Sequence, residues 1–148
     1  MKSIDELNEE SFNKIKATLD SFSKFKLSLG IFNHPRAKVL ERHEKGIGVE
    51  KREFIKKSID LHKNEIIEKM KFFAKNTDFN KKDAIYAVLN ATGSYINNNV
   101  IRYFINHESK SYLAPLKPST IKRKKHDIPM RDTDLMYNNL DHIVSNKS

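Results

Sequence analysis

The chain has 148 residues, 38% apolar and 32% charged, which suits one domain that buries roughly two-thirds of its unfolded surface. It has no cysteine, so disulfides, thiolate metal sites and cysteine nucleophiles are excluded. The net charge of +9 rests on 22 Lys and only 6 Arg, beside 14 Asn; with Arg so scarce, much of this charge reads as solvated surface rather than phosphate-reading forks.

Ser3 and Glu6 form a capping-box pattern. Behind it Ile4, Leu7, Ser11, Ile15, Leu19 and Phe22 recur at helical spacing, predicting an amphipathic helix over about 4–22. The period then changes to two. Phe25, Leu27, Leu29 and Ile31 alternate with Lys24, Lys26, Ser28 and Gly30, as in a half-buried strand. Asn33-His34-Pro35 marks a turn, and Ala37, Val39 and Leu40 begin a second strand or a short helix ending near Gly46. From about Glu50, Ile55, Ile59, His62, Ile66, Met70 and Phe73 share one helical face. Asn80 and Asp83 suggest a fresh cap. The helix beyond them carries Ile85, Val88, Leu89, Thr92, Ile96, Val100 and Tyr103 to about Asn106, with Gly93 inside it as the mark of a close helix crossing or of simple tolerance.

Residues 107–131 differ in character. They hold Pro115, Pro118, Pro129 and the run Lys122-Arg123-Lys124-Lys125, and read as mostly extended chain, with at most one turn capped by Ser119. Asp132-Thr133 caps a short helix bearing Leu135, Met136 and Leu140, and His142-Ile143-Val144 can add a last strand. The expected fold class is α+β: a small, largely antiparallel sheet against two long helices near 50–75 and 80–106. One domain spans 1–148, divided into an N-terminal helix (1–23), sheet plus helices (24–106), an extended basic loop (107–131) and a C-terminal helix and strand (132–148).

No constellation for catalysis emerges. His34, His43, His62, His107, His126 and His142 never stand three or four residues apart, so no helical metal pair exists. Gly46-Ile47-Gly48 lacks the third Gly and the Lys of a phosphate loop, and Gly93-Ser94-Tyr95 lies mid-helix rather than on a nucleophile elbow. Glu65 and Glu68 read as the wet face of a helix. The expectation is a non-enzyme without catalytic residues, metal or cofactor. No apolar run approaches the ~18 residues of a membrane span, and MKSIDELNEE lacks the order of a signal peptide, which points to a soluble protein that stays where it is made.

Three clusters carry a likeness to known proteins. The first is His43-Glu44-Lys45-Gly46 with Arg52-Glu53-Phe54-Ile55. The second is Ala114-Pro115-Leu116-Lys117-Pro118-Ser119-Thr120-Ile121 with Arg123, and the third Ile128-Pro129-Met130-Arg131-Asp132-Thr133-Asp134-Leu135. In this order, and with helices between the first and second, the chain resembles the virion-morphogenesis proteins of tailed bacteriophages, which complete tails or form the neck. The likeness spans about residues 25–145, departing from the family pattern at Lys45, Glu50, Glu53 and Asp134.

The resemblance implies a structural virion protein acting as a ring in the neck or tail. Its partners would be copies of itself, the head connector and the tail tube or terminator, with genomic DNA passing transiently. Its place would be the virion, or the host cytoplasm during assembly. The assembly contacts would then include Arg52, Phe54, Leu113, Pro115, Leu116, Pro118, Thr120, Ile121, Asp132 and Thr133. Lys122, Arg123, Lys124 and Lys125 would face DNA in the lumen or an acidic partner. The alternative is a small basic nucleic-acid-binding protein using those four residues, although neither helix-turn-helix spacing nor aromatic–basic interleaving accompanies them.

Overall fold

A hydroxyl and a carboxylate start the first helix, α1 (Ile4–Ser23): the Glu6 amide donates to Ser3 Oγ at 3.2 Å and the Ser3 amide to Glu6 Oε2 at 2.9 Å. Both halves of the capping box are therefore made. The computed structural model describes residues 3–48, 51–124, 127–129 and 135–147. Strand β1 (Phe25–Gly30) follows α1 directly, and Arg36–Lys45 forms α2, a helix rather than a second strand.

The helix expected from about Glu50 is two helices. Phe54–Leu61 (α3) and Lys63–Lys75 (α4) meet at His62, whose φ of −110° and ψ of 18° break the run. The stripe survives the break, with Ile55, Ile59, His62, Ile66, Met70 and Phe73 all half-buried. Next comes the central rod: α5 (Ala84–Tyr95), a π-helical turn (Ile96–Ile101) and α6 (Arg102–His107). Asp83 stands at the N-cap position of α5 without a side-chain cap bond, while Asp78 instead accepts from the Asn80 amide at 3.0 Å.

The segment read as an extended loop is partly helical. Ser109–Tyr112 forms α7 and Pro118–Lys124 forms α8. Pro118 opens α8 at the first helical position, where its fixed φ suits a helix and its missing N–H costs nothing. The proline that suggested extended chain is thus the one that starts a helix. The short helix α9 (Leu135–Asn138) and strand β2 (Asp141–Asn146) follow where expected, but Leu140 lies beyond the helix, and the expected cap at Asp132-Thr133 lies outside the described residues.

The fold class is α+β. Strands β1 and β2 pair antiparallel, Phe25 opposite Asn146 and Gly30 opposite Asp141, and the pair lies on α5. Gly93 makes that approach possible, and its neighbour is the sheet rather than a crossing helix. A Cβ there would fall 2.5 Å from His142 Cδ2 and 2.8 Å from Leu27 Cδ1, closer than packed atoms tolerate. The core gathers around the rod: Phe54, Val100, Ile101, Phe104 and Ile105 are fully buried, joined by Ile31, Leu40, Ile96, Met136 and Leu140. Burying each large apolar side chain is worth roughly 1.5–3 kcal/mol.

Candidate assembly surface

The first and second sequence clusters meet in space. Glu44, near the end of α2, reaches the start of α3, where its Oε1 accepts from the Ile55 amide at 2.9 Å. A carboxylate at a helix start satisfies an amide that has no intrahelical acceptor and suits the helix dipole. Burial pushes the Glu44 carboxyl above the usual range, against the downward pull of the backbone amides of Ile55, Lys56 and Phe54. Gly46 ends α2 with φ of 72°, and a Cβ there would lie 2.9 Å from Lys51 Cβ, so this turn needs both the conformation and the smallness of glycine.

Arg52, just beyond that turn, holds the Pro-rich segment. Its Nε donates to the Ala114 carbonyl at 3.1 Å and one terminal nitrogen to the Pro115 carbonyl at 3.1 Å. A planar guanidinium suits two adjacent carbonyls in a way an ammonium does not. Next to it a shallow depression is lined by Lys51, Glu53, Lys57, Tyr112 and Leu113, with Lys51 paired to Glu53 at 2.6 Å.

Two residues expected as contacts are not available for one. Phe54 is fully buried and Leu113 is 8% exposed, both within the chain's own core. The chain satisfies these apolar side chains itself, because α7 turns the segment inward before Ala114. The other candidates divide. Pro115 and Pro118 are exposed; Leu116, Thr120 and Ile121 are half-buried; Lys122 and Arg123 are exposed on α8. Lys124 belongs to α8, but its side chain, like Lys125, Asp132 and Thr133, lies outside the described residues. Arg52 and Pro115 thus meet at the surface, Leu116, Pro118, Thr120 and Ile121 follow Pro115 along the same segment, and Leu113 and Phe54 belong to the core.

Two polar clusters escaped the sequence reading. In the first, Asn97 Nδ2 and an Arg102 nitrogen both donate to the Leu140 carbonyl at 2.9 Å, Arg102 also donates to the Tyr137 carbonyl at 3.0 Å, and Asn106 Nδ2 to the Tyr137 hydroxyl at 2.8 Å. The π turn supplies Asn97, and the helix just after it Arg102 and Asn106. One added residue per turn rotates the side chains that follow. This seam fixes α9 and the entry to β2 against the rod.

The second cluster centres on His62. Its Nδ1 lies 3.0 Å from Glu65 Oε2 and its Nε2 lies 2.6 Å from Glu108 Oε1, while the Tyr95 hydroxyl donates to Glu65. Glu65 is thus a bonded partner rather than merely the wet face of α4. Burial works against the imidazolium, but the bonds to Glu108 and Glu65 outweigh it and raise the His62 pKa. The Tyr95 and His62 bonds hold the Glu65 carboxyl low, and burial with that carboxylate pushes the Tyr95 hydroxyl up to about 12. With both ring nitrogens given to carboxylates, neither is left to take a proton from a substrate. The cluster is a charge clamp joining α4, α5 and the α6–α7 junction. Lys69 stands over the Tyr95 ring at 5.4 Å, and the Tyr103 ring lies between His62 and His107. Among the described residues no group of three His, Asp or Glu side chains has the arrangement of a metal site.

No family model matches the chain, and neither curated proteins nor solved structures contain a significant match.

Proposed function

We propose that the chain is a non-catalytic structural subunit of a tailed-phage neck or tail, working by assembly into a ring at the head–tail joint. The observation that supports this reading is the Arg52 clamp. It brings the first and second sequence clusters together, and it holds a proline-stiffened segment in place on the surface rather than leaving it to fluctuate. A segment ordered in advance loses less entropy when it docks. Leu116 and Ile121, half-buried on that segment, are the apolar anchors, and Lys122 and Arg123 beside them face an acidic neighbour or the DNA passage. A ring requires this kind of contact, in which one face of a subunit meets a different face of the next.

Replacing Leu116 and Ile121 together with Ser tests the reading. The expected result is a monomer with its far-UV spectrum intact that fails to join heads to tails in an extract complementation assay. Normal joining by the double variant would refute the surface. Unfolding of the isolated chain would instead assign both residues to its own core.

A further inference from the structure

Helix α1 exposes apolar side chains that its own chain does not cover. Ile4, Phe12 and Leu19 keep 77%, 65% and 64% exposure, and their spacing of eight and seven residues places them on one stripe about 22 Å long. The described contacts of α1 with the body lie at its C-terminal end. The Phe22 ring packs on Phe79 at 6.1 Å, and Ala17 and Ser21 line a cleft with Phe25 and Ile85. Ile4, Phe12 and Leu19 take no part in those contacts. Most of the stability of a helix in a protein comes from burying its apolar face.

Charge indicates what covers it. Within a chain of net charge +9, α1 carries Asp5, Glu6, Glu9, Glu10 and Asp20 against Lys14 and Lys16. It is an acidic helix on a basic protein. The outer face of α4 has the opposite character: Lys63, Ile67, Lys71 and Lys75 follow one another at four-residue spacing, a ridge along the helix, with Phe72 beside it. Ile67 and Phe72 keep 42% and 55% exposure. Lys71 meets Glu68 only as an exposed pair at 3.3 Å, which leaves its charge open to a stronger partner.

We propose that α1 of one copy docks along α4 of a second copy. Phe12 and Leu19 then pack against Ile67 and Phe72, while Glu9 and Asp20 meet Lys63 and Lys71. Because donor and acceptor are different helices, each copy offers both faces, and the contact closes reciprocally in a pair or runs head-to-tail from copy to copy. It adds to the ring reading a second surface made of residues other than Leu116 and Ile121, and it requires only that two copies meet.

The test is a charge exchange read by sedimentation of the full chain. E9K/D20K should weaken self-association at least tenfold, and K63E/K71E should do the same. Mixed, the two variants should associate with each other, because the reversed α1 now faces a reversed α4. F12S/L19S should be monomeric with an unchanged far-UV spectrum. A wild-type protein that stays monomeric at the highest attainable concentration overturns the pairing, as does association unaffected by F12S/L19S or variants that fail to rescue each other. Binding of wild type, but not F12S/L19S, to vesicles of neutral lipid without self-association assigns the stripe to a membrane surface and equally overturns it. The neck reading is decided separately, by the joining assay of the Leu116 and Ile121 variant.

Discussion

Helix α1 and the central rod carry the same kind of sequence pattern and meet opposite fates. Each recurs in apolar residues at helical spacing over about twenty residues. Along the rod, Val88, Val100, Ile101, Phe104 and Ile105 lose all contact with solvent, while α1 leaves Ile4, Phe12 and Leu19 largely in water. Periodicity fixes that a helix has an apolar face, and says nothing about whose surface covers it. The apolar face of the rod is covered by its own chain: α3, α4, the sheet and, through the Asn97–Arg102–Asn106 seam, α9. On α1, Ile4, Phe12 and Leu19 find no such cover among the described residues.

Breaking the rod should therefore cost far more than altering α1. Phe104→Ala should lower unfolding free energy by about 3–5 kcal/mol, measured by urea denaturation, since a large cavity opens in a core with no slack. Arg52→Ala should follow at about 1.5–3 kcal/mol, because two carbonyls lose a charged donor. Hydrogen exchange should localise that loss to residues 113–121, with the rod still protected. A Leu113 amide that exchanged no faster in this variant would show that the apolar core, not the guanidinium, holds the segment.

The His62 clamp comes next, and its sign is set by the direction of each shift. A raised His62 pKa means stabilisation that is full below the ordinary imidazole value of about 6.5 and fades as pH rises through the folded value. A lowered Glu65 pKa means stabilisation present above the ordinary carboxyl value and lost on acidification. The stability difference between wild type and His62→Gln should accordingly be largest near pH 5–6 and shrink toward pH 9. A difference that grew with pH would mean that the ring sits there neutral. Smallest of all, Phe12→Ser should shift the unfolding free energy of the monomer by no more than about 0.5 kcal/mol, in spite of removing an aromatic ring. A loss of several kcal/mol would place Phe12 in an intramolecular contact.

The contrast also sorts what could be read in the sequence. The strand at Phe25–Gly30 was legible because Lys26 and Ser28 separate its apolar residues, and the α3–α4 stripe because Ile55 through Phe73 keep one face across the break. The break itself was not legible: His62 is an ordinary helix residue until Glu108, distant in sequence, binds its ring. The same holds for Arg52, whose acceptors are backbone carbonyls at Ala114 and Pro115 and leave no side-chain signature. The Asn97-Asn98-Asn99 run gave no sign of a π turn, since asparagine there is chosen by a carbonyl at Leu140. Prolines misled in the opposite way, because Pro118 can open a helix as readily as it can prevent one. Local periods were readable, and long-range polar bonds were not.

The pairing of β1 with β2 bears on the order in which the molecule forms. Phe25 lies opposite Asn146, so nearly the whole chain must be made and brought back before the strands can meet. Contacts of such sequence separation close late, after the helices between them have formed and packed, because the entropy of closing the loop must be met first. A two-stranded ribbon has little stability of its own and waits for the finished rod, with its gap at Gly93, to serve as a template. The same late closure ties down the root of α1, because the Lys147 amide reaches the Lys24 carbonyl at 2.8 Å only once the strands have paired.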